Sequence, residues 1–285
     1  MSGRVSKQMN ERMMRWFGAQ SPDFSGITDY DVWLRLGVGY LLNCHLGLGA
    51  AHQPRVEFCI AGAEKCGTTA LAGYLSRHPD IRLPLRKEPR YFVDKRFFAG
   101  NPAGDADWYH RQFWWRNAKK TTTGDTSPQY FMHPSAAQRI AAYNPGMRVV
   151  CLLRPNLERM FSFWKMTKFH GSKIDWDEFE NRIAAAPERW QYGRAIRRWQ
   201  QHFPPEQLLI LPYQAFLNHP KDMVDRVLAF LHVSPMPEPF VPIWRNTSSA
   251  QNLETTMRTK VPAWITDDMA DVENLLGWSP EDWRN

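Results

Sequence analysis

Short apolar runs alternate with amphipathic stretches along most of the chain. Three mostly apolar runs are each followed by a segment with helical periodicity. A continuous apolar run is typical of a strand buried on both faces, and strands alternating with helices indicate a parallel sheet covered by helices. The predicted strands are residues 56–61, 147–153 and 207–211, and the predicted helices are residues 68–76, 157–168 and 220–231.

Two regions depart from this alternation. Residues 5–17 and 28–47 predict two helices ahead of the first strand. Residues 97–125 are aromatic and irregular, which indicates an insertion or a surface segment. We therefore expect an α/β fold in which residues 1–53 form an N-terminal helical extension and residues 54–285 form a single domain.

Composition narrows the class of protein. The 285 residues are 43% hydrophobic and 23% charged, which excludes a disordered or collagen-like chain. The net charge of +7 suits an anionic ligand. The four cysteines lack a CxxC spacing and the nine histidines lack a ligand spacing, so we expect no metal and a reducing, cytoplasmic setting. The apolar run 32–51 contains Arg35, Asn43 and His45, so we expect a packed helix rather than a membrane span.

The loop between the first predicted strand and helix carries the most chemical information. Residues 62–69 read GAEKCGTT, so two glycines, a lysine and two threonines stand where backbone N–H groups can face a phosphate. The spacing of the glycines matches the nucleotide loop GxxxxGK[ST], but Lys65 lies two positions before Gly67 instead of after it. The alternative is a glycine turn with an exposed lysine.

Residues 61–71 resemble the 5′-phosphosulfate loop of sulfotransferases that use 3′-phosphoadenylyl sulfate (PAPS), written G-x-x-K-[ST]-G-T-[ST]-x-L. Cys66 stands where that family more often has serine or threonine. The resemblance implies a P-loop-like three-layer fold. It also implies that the donor is bound by Lys65, Cys66, Gly67, Thr68 and Thr69.

A second segment strengthens the resemblance. Residues 148–164 are similar to the family's 3′-phosphate segment, a strand ending in L-R-[ND]-P-x-x-R-x-x-S. Arg154 and Ser162 keep its eight-residue spacing, which places the arginine at a strand end and the serine about two turns along the next helix. Both can then reach one phosphate. Without the first loop upstream, the simpler interpretation of this pair would be a solvated arginine and a capping serine. The order Arg154-Pro155-Asn156 is also swapped relative to the family's Arg-Asn-Pro.

Further matches are to the heparan-type and bacterial branch of the family. They include K-E-P-x-[FY]-F, G-E-x-[ST]-P-x-Y and a segment whose tyrosine, here Tyr213, lies near the adenine in the family. The matching stretches are residues 78–81, 87–92, 124–130, 211–216 and 275–283.

The resemblance implies a metal-free, in-line transfer of a sulfuryl group from PAPS to a hydroxyl or amine. The acceptor would be a small molecule or a glycan, and the product adenosine 3′,5′-bisphosphate (PAP). Lys65 would stabilise the leaving oxygen, and Glu88 would be the general base, with a pKa raised by burial. The alternative for Glu88 is an ion pair with Lys87 or Arg90. Thr126 stands where heparan enzymes often have lysine, which weakens the case for a sulfated glycan.

The remaining assignments are weaker. Glu88, Arg90, Asp125 and His133 are the candidate acceptor-binding residues. Asp125 could instead orient a neighbour or cap a turn, and His133 could be a surface histidine. Arg258 and Lys260 are assigned to the donor because the family closes its 3′-phosphate site with a late basic loop.

Two other functions compete with sulfuryl transfer. A small-molecule kinase could use the same loop, but the position of the lysine and the lack of a strand-end magnesium aspartate argue against it. A nucleic-acid-binding protein would fit the charge, but the basic residues are spread along the chain and no binding motif is present. We therefore expect neither nucleic acid nor membrane as a partner, and the N-terminal helices are a candidate dimer element.

Overall fold

The computed structural model describes residues 55–85, 87–99, 104, 106–113, 121–242 and 261–283. The predicted N-terminal extension, Arg258 and Lys260 lie outside these residues. Every structural statement below concerns the described part of the chain.

The strands lie parallel in one sheet. They are β1 (Phe58–Gly62), β2 (Ile81–Arg82), β3 (Thr122–Thr126), β4 (Arg148–Leu153) and β5 (Leu208–Pro212). Within the described ranges the order is β2-β3-β1-β4-β5. The three predicted strands are confirmed as β1, β4 and β5, which are almost entirely apolar, as expected for strands covered on both faces.

Helices follow the strands and flank the sheet. They are α1 (Thr68–Leu75), α2 (Ala106–His110), α3 (Ala136–Tyr143), α4 (Asn156–Phe169), α5 (Trp176–Ala184), α6 (Tyr192–Gln200), α7 (Tyr213–Asn218), α8 (Pro220–Phe230) and α9 (Ala263–Leu276). The three predicted helices are confirmed as α1, α4 and α8. Short 3₁₀ turns cover Tyr91–Val93, Lys95–Phe97, Pro187–Arg189 and Pro205–Gln207.

The expectation of an irregular surface segment at residues 97–125 is wrong at its carboxyl end. β3 lies inside the sheet between β2 and β1, and Gly124 pairs with Phe58. A Cβ on Gly124 would lie 2.1 Å from the Phe58 ring, so this strand needs a glycine there. The strand reads TTGDT, and its buried Thr123, Asp125 and Thr126 are polar. An apolar-run criterion therefore could not find it.

Two apolar clusters support the fold. The larger lies between the sheet and its helices. The smaller joins α4, α5 and α9 and includes Met160, Trp176, Phe179, Ile183 and Ile265. This second cluster supports the helices next to the carboxyl end of β4.

The sheet order brings two chemistry-bearing loops together. β1 and β4 are parallel neighbours, so the loops at their carboxyl ends leave the same edge of the sheet. The N–H of Ala63 donates to the carbonyl of Leu152 at 2.9 Å, which joins the first loop to β4. Open α/β sheets bind ligands at this kind of edge, where connections leave in opposite directions.

A buried carboxylate ties α9 to the segment after β4. Asp268 accepts hydrogen bonds from the Asn156 side chain at 2.7 Å and from the N–H groups of Tyr192 and Gly193 at 2.8 and 2.9 Å. These two N–H groups open α6, so a side chain of α9 caps another helix.

We expect Asp268→Ala to lower the free energy of unfolding by about 3 kcal/mol, because it strands three buried donors. The control is Asp271→Ala on the same helix, whose ion pair with Arg197 is partly exposed and worth less than about 1 kcal/mol. Urea denaturation measures both. Equal losses would contradict the role given to Asp268.

Candidate active site

The loop between β1 and α1 is shaped for close approach. Lys65 and Gly67 both have left-handed backbone conformations, with φ of 68° and 84°. A Cβ on Gly67 would lie 2.7 Å from the Tyr213 ring, so only glycine fits against it. α1 begins directly after Gly67, and the first N–H groups of a helix have no acceptor within it. The loop therefore presents N–H donors and a helix N-terminus to an anion.

Lys65 is the cation of this loop. Its Nζ lies 3.5 Å from the sulfur of Met166 on α4. Burial lowers the pKa of Lys65, as do the positive charges of Lys87 and Arg154, and nearby Glu64 only partly opposes this. Several cations thus converge on Lys65, an arrangement that suits an anionic ligand.

The thiol of Cys66 points into the protein interior and not toward an anion in the loop. The side chain is fully buried, and its Sγ lies 3.5 Å from the hydroxyl of Tyr192. That hydroxyl donates to the carbonyl of Arg154 at 3.0 Å. The thiol therefore packs the loop against the end of β4. The backbone N–H of Cys66 donates to the carbonyl of Ala63 at 3.3 Å, and its contact with the donor stays a prediction.

Arg154 lies beside this loop, at the end of β4. Its guanidinium stands 4.9 Å from the centre of the Tyr213 ring, and its Nε donates to Glu158 at 3.0 Å. The same ring covers Gly67, so Tyr213 contacts both predicted donor segments. Ser162 is buried on α4, two helical turns beyond Arg154. The swapped Asn156 is fully buried and bound to Asp268, so it anchors the start of α4.

Glu88 is held in a network of donors. Its Oε2 accepts hydrogen bonds from the Arg90 guanidinium at 2.8 Å and the Gln129 amide at 2.9 Å, and Lys87 lies 3.6 Å from Oε1. Burial raises the pKa of Glu88, but these hydrogen bonds and charges outweigh it and hold the pKa below its usual range. The expected rise in the pKa of Glu88 is therefore wrong for this arrangement, and the alternative ion pair is observed.

Asp125 is a buried support beneath the Glu88 segment. It has no exposed surface and accepts hydrogen bonds from the hydroxyls of Tyr109, Tyr130 and Ser127 at 2.9, 2.7 and 2.9 Å. The Ser127 oxygen in turn accepts from the N–H of Arg90 at 3.0 Å. The assignment of Asp125 as an acceptor contact is therefore corrected, because its enclosed carboxylate orients the turn that carries Glu88 and Arg90.

His133 is engaged within its own turn. Its Nδ1 accepts a hydrogen bond from the N–H of Ser135 at 3.2 Å. Burial lowers the pKa of His133, and the positive charges of Arg139, Arg198 and Lys95 lower it further, which favours the neutral ring. Its contact with an acceptor stays a prediction.

Sequence reasoning missed three residues of the site. Glu64 is half-buried beside Lys65, and burial raises its pKa, with the nearby charges of Arg159 and Glu88 acting in opposite directions. Gln129 donates to Glu88 and also interacts with Glu64. Arg159 lies 4.6 Å from the Trp190 ring and donates to the Glu64 carbonyl at 3.2 Å. The second arginine of the R-x-x-x-x-R-x-x-S spacing was the available signal for Arg159.

Two limits on other chemistry apply to the described residues. No three His, Cys, Asp or Glu side chains among them come together as a metal site. None of the helices among them is long and apolar enough to cross a membrane.

Comparison with known proteins gives consistent similarities. A model described as "Sulfotransferase family" matches residues 102–238. The bifunctional heparan sulfate N-deacetylase/N-sulfotransferase 3 of Mus musculus is 30% identical over 202 residues, 63% of this chain and 22% of that protein. The heparan sulfate glucosamine 3-O-sulfotransferase 3B1 of Mus musculus is 28% identical over 193 residues, 64% of this chain and 47% of that protein. The chain thus spans less than half of each of these relatives.

A solved structure confirms the predicted P-loop-like three-layer fold. The sulfotransferase from Alicyclobacillus acidocaldarius superposes with a TM-score of 0.66 at 28% identity. The similarity covers 81% of this chain and all of that one.

We expect Arg90→Ala to raise the pKa of Glu88. The variant removes a hydrogen bond and a positive charge that lower this pKa, while the effect of burial, which raises it, remains. The native carboxylate stays ionised at and above its usual pKa, and the stabilisation from its partners is lost as pH falls through the lowered folded pKa. Carboxyl-carbon NMR titration measures the change. Arg96→Ala, which removes an exposed pair with Asp94, is the control and leaves Glu88 unchanged. An unmoved titration in Arg90→Ala would contradict the assignment.

Proposed function

We propose that this chain, which belongs to the sulfotransferase family, transfers a sulfuryl group from PAPS to a hydroxyl or amine. The acceptor class is a small molecule or a glycan, and the other product is PAP. One observation carries the proposal: the Tyr213 ring covers Gly67 on one side and lies against Arg154 on another. Two segments that are distant in sequence thus form a single anion-binding edge.

The donor site is assembled from both segments. The N–H groups at the start of α1 and the Lys65 ammonium bind the 5′-phosphosulfate. Arg154 and Ser162 bind the 3′-phosphate, and Tyr213 lies beside the adenine. The hydrogen bond from Arg154 to Glu158 uses Nε, so the two Nη groups keep their donors for a phosphate while Glu158 fixes the guanidinium.

The chain's own residues divide the chemical work. Lys65 stabilises the negative charge that develops on the leaving phosphate oxygen. Glu88, kept ionised by its lowered pKa, accepts the proton of the attacking hydroxyl or amine. An acceptor that displaces Arg90 removes a donor from Glu88 and makes it a stronger base at the moment of transfer. Asp125 acts through Ser127 to hold this turn in place.

Finer assignments are part of the same proposal. We propose a metal-free, bacterial-type enzyme of the cytoplasm, with residues 1–53 as a helical extension and candidate dimer element and residues 54–285 as one domain. The dispersed basic residues support a chain without a nucleic-acid partner. The unpaired thiols of Cys59, Cys66 and Cys151 support the cytoplasmic setting. Arg258 and Lys260 are proposed to complete the 3′-phosphate site.

We expect PAP to bind with micromolar affinity and ATP with magnesium not to bind, measured by titration calorimetry. Arg154→Ala should weaken PAP binding by about 10- to 100-fold, because charge-assisted hydrogen bonds are lost. The exposed Arg226→Ala is the control and keeps native affinity. A preference for ATP with magnesium would favour the kinase instead.

Lys65→Ala should lower turnover by about 10²- to 10³-fold, the usual cost of losing a group that stabilises an oxyanion. Glu88→Gln should lose turnover with PAP affinity nearly unchanged, because it alters the base and not the donor site. Transfer of ³⁵S from labelled PAPS to a panel of phenols, alcohols and amines measures both. The exposed Lys173→Ala is the control, and full activity of Glu88→Gln would remove Glu88 as the base.

A further inference from the structure

A cavity of about 650 Å³ lies beside the donor loop, between the end of α4, α5 and the turn before α6. We call it the α4–α5 cavity. Its apolar lining includes Met166, Phe179, Ile183 and Trp190. Phe179 and Ile183 belong to the smaller apolar cluster and Trp190 packs against it, so packed side chains support the cavity wall.

Two contacts join this cavity to the transfer centre. Met166, which lines it, has its sulfur 3.5 Å from Nζ of Lys65. Trp190, also in the lining, has its ring 4.6 Å from the Arg159 guanidinium, and Arg159 donates to the carbonyl of Glu64 at 3.2 Å. Met166 therefore contacts both the cavity and the Lys65 ammonium, which we place at the leaving oxygen.

The ring of Trp190 is held in position. Phe163 and Phe179 meet it edge-on, with ring centres 5.5 and 6.3 Å away. The Arg159 guanidinium also donates to the Trp190 carbonyl at 3.4 Å. A fixed aromatic ring gives a planar ligand a surface to stack on at little cost in side-chain entropy.

The charge of the lining has one sign. None of the twelve lining residues is acidic, while two arginines, Arg182 and Arg189, are among them. Arg182 is paired with Glu178 at 2.7 Å, and Arg189 is exposed. An apolar floor with arginines on its lining matches a molecule that has an apolar body and an anionic group.

We propose that the α4–α5 cavity binds the acceptor, and that the acceptor is a small molecule with a planar apolar body, a hydroxyl near Lys65 and an anionic group near Arg189. This rests on the proposed sulfuryl transfer. The hydroxyl oxygen forms the new bond to sulfur as the bond from sulfur to the 5′-phosphate oxygen of PAPS breaks. The 5′-phosphate oxygen keeps the electron pair of the broken bond, and the hydroxyl proton passes to Glu88.

The lining favours this class over a glycan. A sugar chain is recognised through many hydrogen bonds, whereas Met166, Ile174, Phe179, Ile183, Ala186 and Trp190 offer mostly apolar surface. A flat apolar ring gains by leaving water for this lining, whereas a hydroxyl-rich ring loses hydrogen bonds to water that these side chains do not replace.

The test uses two probes with the same phenol. One is 7-hydroxycoumarin-4-acetate, which is anionic, and the other is the neutral 7-hydroxy-4-methylcoumarin. Binding is followed by calorimetry in the presence of PAP, and sulfation by ³⁵S transfer from PAPS. We expect the anionic probe to bind about three- to tenfold more tightly and to be sulfated.

Matched variants locate the binding. Ala186→Phe fills the cavity and should weaken both probes at least about tenfold, while Ala184→Phe, exposed on α5 and outside the lining, should not. Arg189→Gln should weaken only the anionic probe, by about three- to fivefold, while exposed Arg194→Gln changes neither. PAP affinity stays native in all four variants, which shows that they are folded.

The outcomes separate this inference from the proposed function. Equal binding to Ala186→Phe and Ala184→Phe, or equal affinity for the two probes, overturns the acceptor site while PAP binding leaves the sulfotransferase proposal standing. An anionic probe that binds in the cavity but receives no label also overturns it. If the native chain binds no PAP, the proposed function itself is contradicted, and with it the acceptor site in the cavity.

Discussion

The parallel pairing of β1 with β4 is the constraint on which the site depends. Their loops leave the same edge of the sheet, and Ala63 and Leu152 are hydrogen-bonded across it. The buried hydroxyl of Tyr192 then joins the Cys66 thiol to the Arg154 carbonyl. Only with this spacing can the Tyr213 ring reach both Gly67 and Arg154. The proposed donor edge therefore depends on the pairing of these two strands, and neither loop forms it alone.

The proposed base, Glu88, is positioned by a different part of the sheet. β3 ends in the buried Asp125, which fixes Ser127, and Ser127 fixes the backbone of Arg90. Glu88 and Arg90 both have positive φ, so this turn needs such support. The low pKa of Glu88 and its ion pair with Arg90 follow from the same turn. In the proposed mechanism, Glu88 stays ionised and ordered until the acceptor displaces Arg90.

The strands and loop residues that are defined by short sequence patterns could be predicted from the sequence. β1, β4 and β5 are continuous apolar runs, and the loop residues Lys65 and Gly67 stand next to one of them. β3 escaped because its buried positions are polar and satisfied by distant hydroxyls, as at Asp125. The pKa of Glu88 could not be predicted either, since the Gln129 amide that contacts it lies 41 residues away. Contacts of that kind exist only once the sheet has formed.

The two sides of the site are therefore built by different means. Backbone N–H groups and the residues of short motifs form the proposed donor edge. A substitution at Gly67 there meets the packed ring of Tyr213. The α4–α5 cavity is lined by side chains of helices and turns, such as Ala186 and Arg189, that no strand holds in register. Changes at these positions can alter the shape and charge of the cavity at small cost to the fold. With the acceptor in the proposed α4–α5 cavity, a chain of this architecture keeps one donor while its acceptor is set by the helices beyond β4.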